Sequence, residues 1–257
     1  MTIIGAYKED VVLVGGWVPY FLCEAHKKEH TGSMDIDVAL DFHHIDQEGY
    51  KTIQQLLNEK GYQVGSQPFI YHRTLTLPDG REMTVDLNFL AGEYGGSGKS
   101  RRTQKVQDVS ARKARGCDVA FEHTFTVNLE NRMPDGAVNS VQMKVAGTIP
   151  FIVMKGMALW ERYKEKDAYD IYFTIRNHAD GTTGLVTLFE PYLKEQLIRE
   201  GLEKIKNKFK TIDSVGPVWV ANFMEEENEE ESQRIQRDAY ERVNAFLDLL
   251  NVEPYKE

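Results

Sequence analysis

Cysteine is scarce: only Cys23 and Cys117 occur in 257 residues. Two thiols are too few for a disulfide scaffold or a Cys-based zinc cage, and they favour a reducing compartment. Long apolar runs are also missing. The two longest, near residues 11–22 and 149–160, are interrupted by Gly, Pro or Lys and are too short to span a bilayer, so no membrane association is expected. The opening MTIIGAYKED lacks a basic start, an apolar run and a cleavage site, so no secretory signal is expected and the cytoplasm is the expected location. No two histidines stand at the helical spacing of a zinc site, and His43, His44, His72 and His123 read as surface or turn residues.

Net positive charge is absent as well. The formal charge of -9 argues against a protein that coats nucleic acid, but the charge is unevenly placed. Between Lys99 and Arg115 seven basic residues stand against the single acid Asp108, and six glutamates crowd residues 225–231. The glutamate block reads as a solvated face.

What is present is an ordinary globular composition, 41% hydrophobic and 28% charged, with enough apolar material for a sizeable core. Residues 34–41 alternate, with Met34, Ile36, Val38 and Leu40 on one side and Asp35, Asp37, Ala39 and Asp41 on the other, the period of a strand with one buried face. Tyr50, Ile53 and Leu57 mark a helix that Gly61 can end. Residues 69–77 and 82–90 read as two strands around a Pro-Asp-Gly turn, and 118–129 and 138–146 as two more. From Pro150 the pattern becomes helical: 150–163, 167–177, a stripe of Leu193, Leu197, Ile198, Leu202 and Ile205, and a last helix carrying Ile235, Ala239, Val243, Phe246 and Leu250. The expected class is α+β, with a mixed α/β part over residues 1–147 and a mostly helical part over 148–257.

Two aspartates one residue apart on a strand share a face and repel each other. A divalent cation resolves that conflict, and a hard oxygen site with few ligands suits Mg²⁺, which keeps positions for water and substrate phosphates. Asp86, on the polar side of a neighbouring strand, can complete the set formed by Asp35 and Asp37 and deprotonate an acceptor hydroxyl. Gly15 and Gly16 follow an apolar run and precede a helix, a context in which backbone N–H groups approach a phosphate. Lys155 lies within an apolar run, where its head group requires a carboxylate partner or a ligand anion. Asp167 and Asp170 share a helical face, and Lys166 can pair with Asp170 at i, i+4.

The order apolar-Gly-Gly, then Ser-x-Asp-x-Asp at Ser33–Asp37, then Val-Asp-Leu at 85–87 resembles the nucleotidyltransferase superfamily that includes DNA polymerase beta and the aminoglycoside nucleotidyltransferases. The segment MKGMALWERYKEKDAYDIYF, residues 154–173, is similar to the element that marks the AbiEii-type toxin branch, with Lys155, Arg162, Lys166, Asp167 and Asp170 at its motif positions. Lys166 stands where that branch usually has Arg, and the interval from Gly16 to Asp35 is longer than is usual. The resemblance implies a nucleotidyltransferase-like mixed sheet, a helical part completing the nucleotide site, and Mg²⁺-dependent transfer from an NTP. It implies Asp35, Asp37 and Asp86 as metal and catalytic residues. Gly15, Gly16 and Ser33 would lie at the phosphates, Lys155 would bind the triphosphate, and Lys166, Asp167 and Asp170 would support that site.

The stretch GGSGKS at 95–100 imitates a phosphate-binding P-loop, but Glu93 occupies the position that requires Gly, so it reads as a glycine-rich loop leading into the basic stretch. An RNA acceptor, such as a tRNA end, would use Lys99–Arg115 for its phosphates. A small-molecule acceptor of the aminoglycoside kind would favour an acidic pocket instead. A partner antitoxin, and a non-catalytic nucleotide-binding descendant of the same fold, are the other expectations the resemblance raises.

Overall fold

The computed structural model describes residues 7–45, 51–77, 79–93, 102–132, 136 and 138–256. The chain is α+β and divides into two compact units. The first holds residues up to Val18 together with Gly32–Gly147, and the second holds Pro19–Thr31 and Thr148–Glu257. The division is therefore not one contiguous half after another, because residues 19–31 leave the first unit and count with the second.

The first unit is built on a nine-stranded mixed sheet. In chain order its strands are β1 (Val11–Val14), β2 (Asp35–Leu40), β3 (Gln63–Val64), β4 (Ile70–Thr76), β5 (Glu82–Ala91), β6 (Thr103–Val106), β7 (Val109–Lys113), β8 (Thr124–Arg132) and β9 (Val138–Ala146). The main order is β3-β4-β5-β2-β1-β9-β8, and the β6–β7 hairpin joins β5 through β7. β2 lies antiparallel to β1 and parallel to β5, in the interior of the sheet. One face carries the core: Val11, Val38, Leu40, Tyr71, Leu87, Phe89 and Ala91 pack with Val106, Val109 and Ala111. Two helices arise before this sheet is complete. Helix α1 (Val18–Leu22) is where the chain passes into the second unit, and α2 (Ile53–Glu59) adds Ile53 and Leu57 to the core of the first.

Helix α2 begins with a capping box: Thr52 accepts from the Gln55 N–H, and the Gln55 side chain accepts from the Thr52 N–H. The tight turn between β6 and β7, with Gln107 at φ +53°, adds to that cap. Asp108 accepts from the Thr52 hydroxyl and from the Gln54 N–H, and the Gln107 side chain accepts from the Ile53 N–H. The only acid in the basic stretch is thus part of a helix start.

The second unit is helical: α3 (Thr148–Glu161), α4 (Glu165–Arg176), α5 (Gly181–Phe189), α6 (Gln196–Lys208), α7 (Val215–Phe223) and α8 (Glu229–Leu249). α3 and α6 approach through facing glycines. A Cβ on Gly156 would stand 2.4 Å from the Gly201 carbonyl oxygen, so neither position tolerates a side chain without separating the helices. The segment 19–31 counts with this unit through contacts far apart in sequence. Cys23 packs with Tyr169 and Phe173, and His30 lies between the same two rings, 5.6 Å from Tyr169 and 4.8 Å from Phe173 by centroid.

Several local expectations change. Residues 117–121 form a 3₁₀ turn after Gly116, whose φ of +82° ends the extended chain, so the strand there begins only at Thr124. The glutamate block is solvent-exposed over residues 225–230, as expected, and its members 229–231 occupy the first turn of α8, where the positive end of the helix dipole favours them and the Asn228 side chain caps the Glu231 N–H. The basic stretch is a hairpin over its described part. The glycine-rich stretch GGSGKS, with Lys99 and the neighbouring Arg101, lies outside the described residues, as does Tyr50. Among the described residues no helix is long and apolar enough to cross a membrane.

Candidate active site

Register determines which carboxylates meet. Asp35 is opposite Asp86 and Asp37 opposite Asn88 in the β2–β5 ladder. Residues in register on adjacent strands point to the same side, so Asp35, Asp37 and Asp86 all occupy the sheet face opposite the Val38/Phe89 core. All three are half-buried. The expected convergence of these acids on one sheet face is what the strand pairing shows.

Asp37 is held from two sides. Its Oδ1 accepts from Asn88 Nδ2 at 3.0 Å. Its Oδ2 lies over the bare backbone of Gly15, where a Cβ would come within 2.1 Å of it. Gly15 also has a φ of +75°, a region that side chains disfavour, so both space and backbone require glycine here. Gly16 is buried in the 3₁₀ turn Gly15–Trp17 that follows β1. Ser33 turns its hydroxyl inward to accept the Asp35 N–H at 3.4 Å. Asp86 has no side-chain hydrogen bond or ion pair among the described residues, so its oxygens are available.

Two neighbours of this cluster were not expected to belong to it. Asn88 follows Asp86 by two positions and fixes Asp37. His72, read from sequence as a surface or turn residue, is a half-buried strand residue opposite Asp86 in the β4–β5 ladder, on the carboxylate face. The Pro-Asp-Gly turn held the signal, since counting outward from it pairs residue 76 with 82 and 72 with 86.

Two of the basic residues of the stretch, Lys105 and Arg112, fall on the same face. Leu90 pairs with Arg112, and Arg112 with Thr103, while Lys105 pairs with Ser110. Leu90 stands two and four residues along β5 from Asn88 and Asp86, so Arg112, Lys105, Thr103 and Ser110 project to the carboxylate side while Val106, Val109 and Ala111 enter the core. Arg115 is paired with Glu93 at 3.1 Å.

The four remaining expected residues form one network within the second unit. Lys155, only 8% exposed, places Nζ 2.8 Å from Asp167 Oδ1 and 2.7 Å from Asp170 Oδ2. Arg162 grips Asp167 in a fork, Nε to Oδ2 at 2.7 Å and Nη2 to Oδ1 at 2.9 Å. Lys166 Nζ donates to Asp170 Oδ1 at 2.7 Å, and His30 Nε2 donates to the same oxygen at 2.9 Å. Burial pushes the Asp170 carboxyl up, but Lys155, the His30 hydrogen bond and Lys166 together hold it well below the usual carboxylate range. Asp167 is likewise lowered, with Lys155 and Arg162 outweighing its burial. Burial disfavours the Lys155 ammonium, yet Asp170 and Asp167 more than offset this and raise its pKa.

Of the two partners that a buried Lys155 could require, the structure supplies the carboxylates. Its charge is satisfied internally, which leaves the expected contact with a triphosphate without support from the geometry. Lys166 makes the i, i+4 pair with Asp170 that the sequence spacing indicates. The cysteines take no part: burial pushes the Cys23 thiol up to about 12 and the Cys117 thiol upward as well, so neither is a thiolate nucleophile at neutral pH.

No protein-family model matches the chain, and no curated protein and no solved structure matches it either.

Proposed function

We propose that this protein is a metal-dependent nucleotidyltransferase that moves a nucleoside monophosphate from an NTP to an acceptor hydroxyl. The observation that carries the reading is the register of β2 and β5, which gathers Asp35, Asp37 and Asp86 on one face beside the glycine turn at Gly15. The resemblance of the Gly-Gly, Ser-x-Asp-x-Asp and Val-Asp-Leu motifs to nucleotidyltransferases supports it independently.

The donor chemistry, three carboxylates, suits a hard divalent cation, around which their oxygens would have to draw together, since they stand beyond shared-ligand spacing in this structure. Three half-buried carboxylates share one face, and Asp37 and Asp86 make no ion pair among the described residues. Asp35, Asp37 and Asp86 would hold Mg²⁺, which when bound supplies charge stabilisation to the phosphoryl oxygens and the departing group. The protein's own contribution is orientation. Asn88 and Gly15 fix the Asp37 carboxylate, and Ser33 fixes the start of β2. The acceptor oxygen forms a bond to the α-phosphorus, and the bond from that phosphorus to pyrophosphate breaks, its electron pair leaving with pyrophosphate. The hydroxyl proton passes to a carboxylate oxygen of Asp86, which carries no competing hydrogen bond, and then to solvent.

An RNA acceptor is favoured over an aminoglycoside-like one because Lys105 and Arg112 share the carboxylate face, which suits phosphates rather than a polycationic sugar. A tRNA end as acceptor, and a toxin role with a partner antitoxin, follow from the AbiEii-type resemblance alone. The test is incubation with each labelled NTP, Mg²⁺ and total RNA, beside Asp35→Ala/Asp37→Ala. Label entering RNA only with the intact protein supports the reading, and label entering nothing, with no nucleotide bound, favours a non-catalytic module.

A further inference from the structure

The second unit carries an aromatic cleft that the transfer chemistry does not use. It is a shallow, open depression of about 490 Å³ lined by Tyr163, Lys164, Glu165, Lys166, Trp219 and Phe223, from the loop before α4, the first turn of α4 and one side of α7. Tyr163 is 86% exposed, an unusual position for a large ring, yet it is ordered edge-to-face against Trp219 at 5.9 Å between centroids. Trp219 and Phe223 are only partly buried, so a wall of ring surface remains open to a planar ligand.

The polar lining is asymmetric in charge. Glu165 accepts from the Asn222 amide at 3.0 Å, which orients it along the α7 side. Lys164 is exposed and makes no ion pair among the described residues. Lys166 has one carboxylate partner, Asp170, and that partner is shared with Lys155 and His30. Burial lowers the Lys166 pKa more than Asp170 restores it, so an additional anion at this wall would stabilise the ammonium.

From the open rings and the two lysines beside them, we infer that this cleft binds a nucleoside phosphate, its base stacked on Tyr163 and Trp219 and its phosphate on Lys164 and Lys166. The ligand is either a free nucleotide or a nucleotide of a single-stranded RNA, which share this chemistry. The inference goes beyond the transfer reaction and does not require it.

The test follows the Trp219 indole N–H resonance, assigned by Trp219→Phe, during titration with adenosine, AMP, ATP and a single-stranded hexaribonucleotide. EDTA is present throughout, so that metal-held nucleotide does not contribute. Saturable shifts are expected, weaker for adenosine than for AMP. Affinity should fall about tenfold in Tyr163→Ala, whose side chain is too exposed for its loss to unfold the protein, and the salt dependence should decrease in Lys164→Gln. Tighter binding of the oligonucleotide assigns the cleft to RNA, and tighter binding of the mononucleotide to free nucleotide. No shift up to millimolar ligand, or an equal affinity in Tyr163→Ala, overturns the inference. Repeating the titration on Asp35→Asn/Asp37→Asn separates the two proposals. An intact Trp219 response in a protein whose parent shows no transfer removes the catalytic reading only, while transfer with no Trp219 response removes the cleft only.

Discussion

Two groups of aspartates sit in this chain under opposite electrostatic conditions. In the second unit, Asp167 and Asp170 are almost fully buried and are met by Lys155, Arg162 and Lys166 at 2.7 to 2.8 Å. In the first unit, Asp35, Asp37 and Asp86 share a face with one another, and neither Asp37 nor Asp86 has an ion-pair partner among the described residues. Satisfied charges of the first kind hold helices together, and removing one partner strands the others. Like charges gathered on one face, as in the second group, repel one another, and their arrangement makes sense when a ligand cation is part of the assembly.

Substitutions can break that contrast. The largest expected effect is on transfer: Asp35→Asn/Asp37→Asn should lower the rate by at least about 1,000-fold, while urea unfolding shows stability unchanged or higher, because two repelling charges are removed. Asp170→Ala should do the reverse for stability. It leaves Lys155 to share Asp167 with Arg162 and takes from Lys166 its carboxylate partner, at a cost of about 3–5 kcal/mol in urea unfolding.

The pH dependence sharpens the same point. Asp170 and Asp167 are both held below the ordinary carboxylate range, so their stabilisation is fully present above about pH 4 and is lost as pH falls through their folded values. The stability gap between the native protein and Asp170→Asn should therefore narrow progressively as pH falls below about 4, as followed by urea unfolding at each pH.

Smaller effects test the supports. Gly15→Ala should cost about 1–2 kcal/mol from its left-handed backbone and should weaken metal binding by displacing the Asp37 carboxylate. Thr52→Ala, which removes the capping box of α2, should cost about 1 kcal/mol in thermal or urea unfolding without changing metal binding.

Much of this was legible in the sequence where a local period existed. The alternation of residues 34–41, the strands around the Pro-Asp-Gly turn and the helices bearing Lys155 and Asp167 are all present, because each side chain's face follows from its neighbours two to four positions away. The β6–β7 hairpin is masked in the sequence because its charges dominate the stretch, although Gln104, Val106, Val109 and Ala111 alternate inward beneath Lys105 and Arg112. Residues 117–121 looked extended because they are apolar, and only the backbone at Gly116 turns them. The displacement of residues 19–31 into the second unit rests on His30 reaching Asp170 across 140 positions, a contact no local pattern announces. That excursion occupies most of the interval between Gly16 and Asp35. In the candidate site the three acids were legible, whereas Asn88 and His72 required the register of a ladder.

Manganese titration followed by electron paramagnetic resonance, with and without a non-hydrolysable NTP, addresses the carboxylate face most directly. Saturable Mn²⁺ uptake by the native protein that disappears in Asp35→Asn/Asp37→Asn is the result expected here. No uptake under either condition, or equal uptake by the variant, would contradict a metal seat on this sheet.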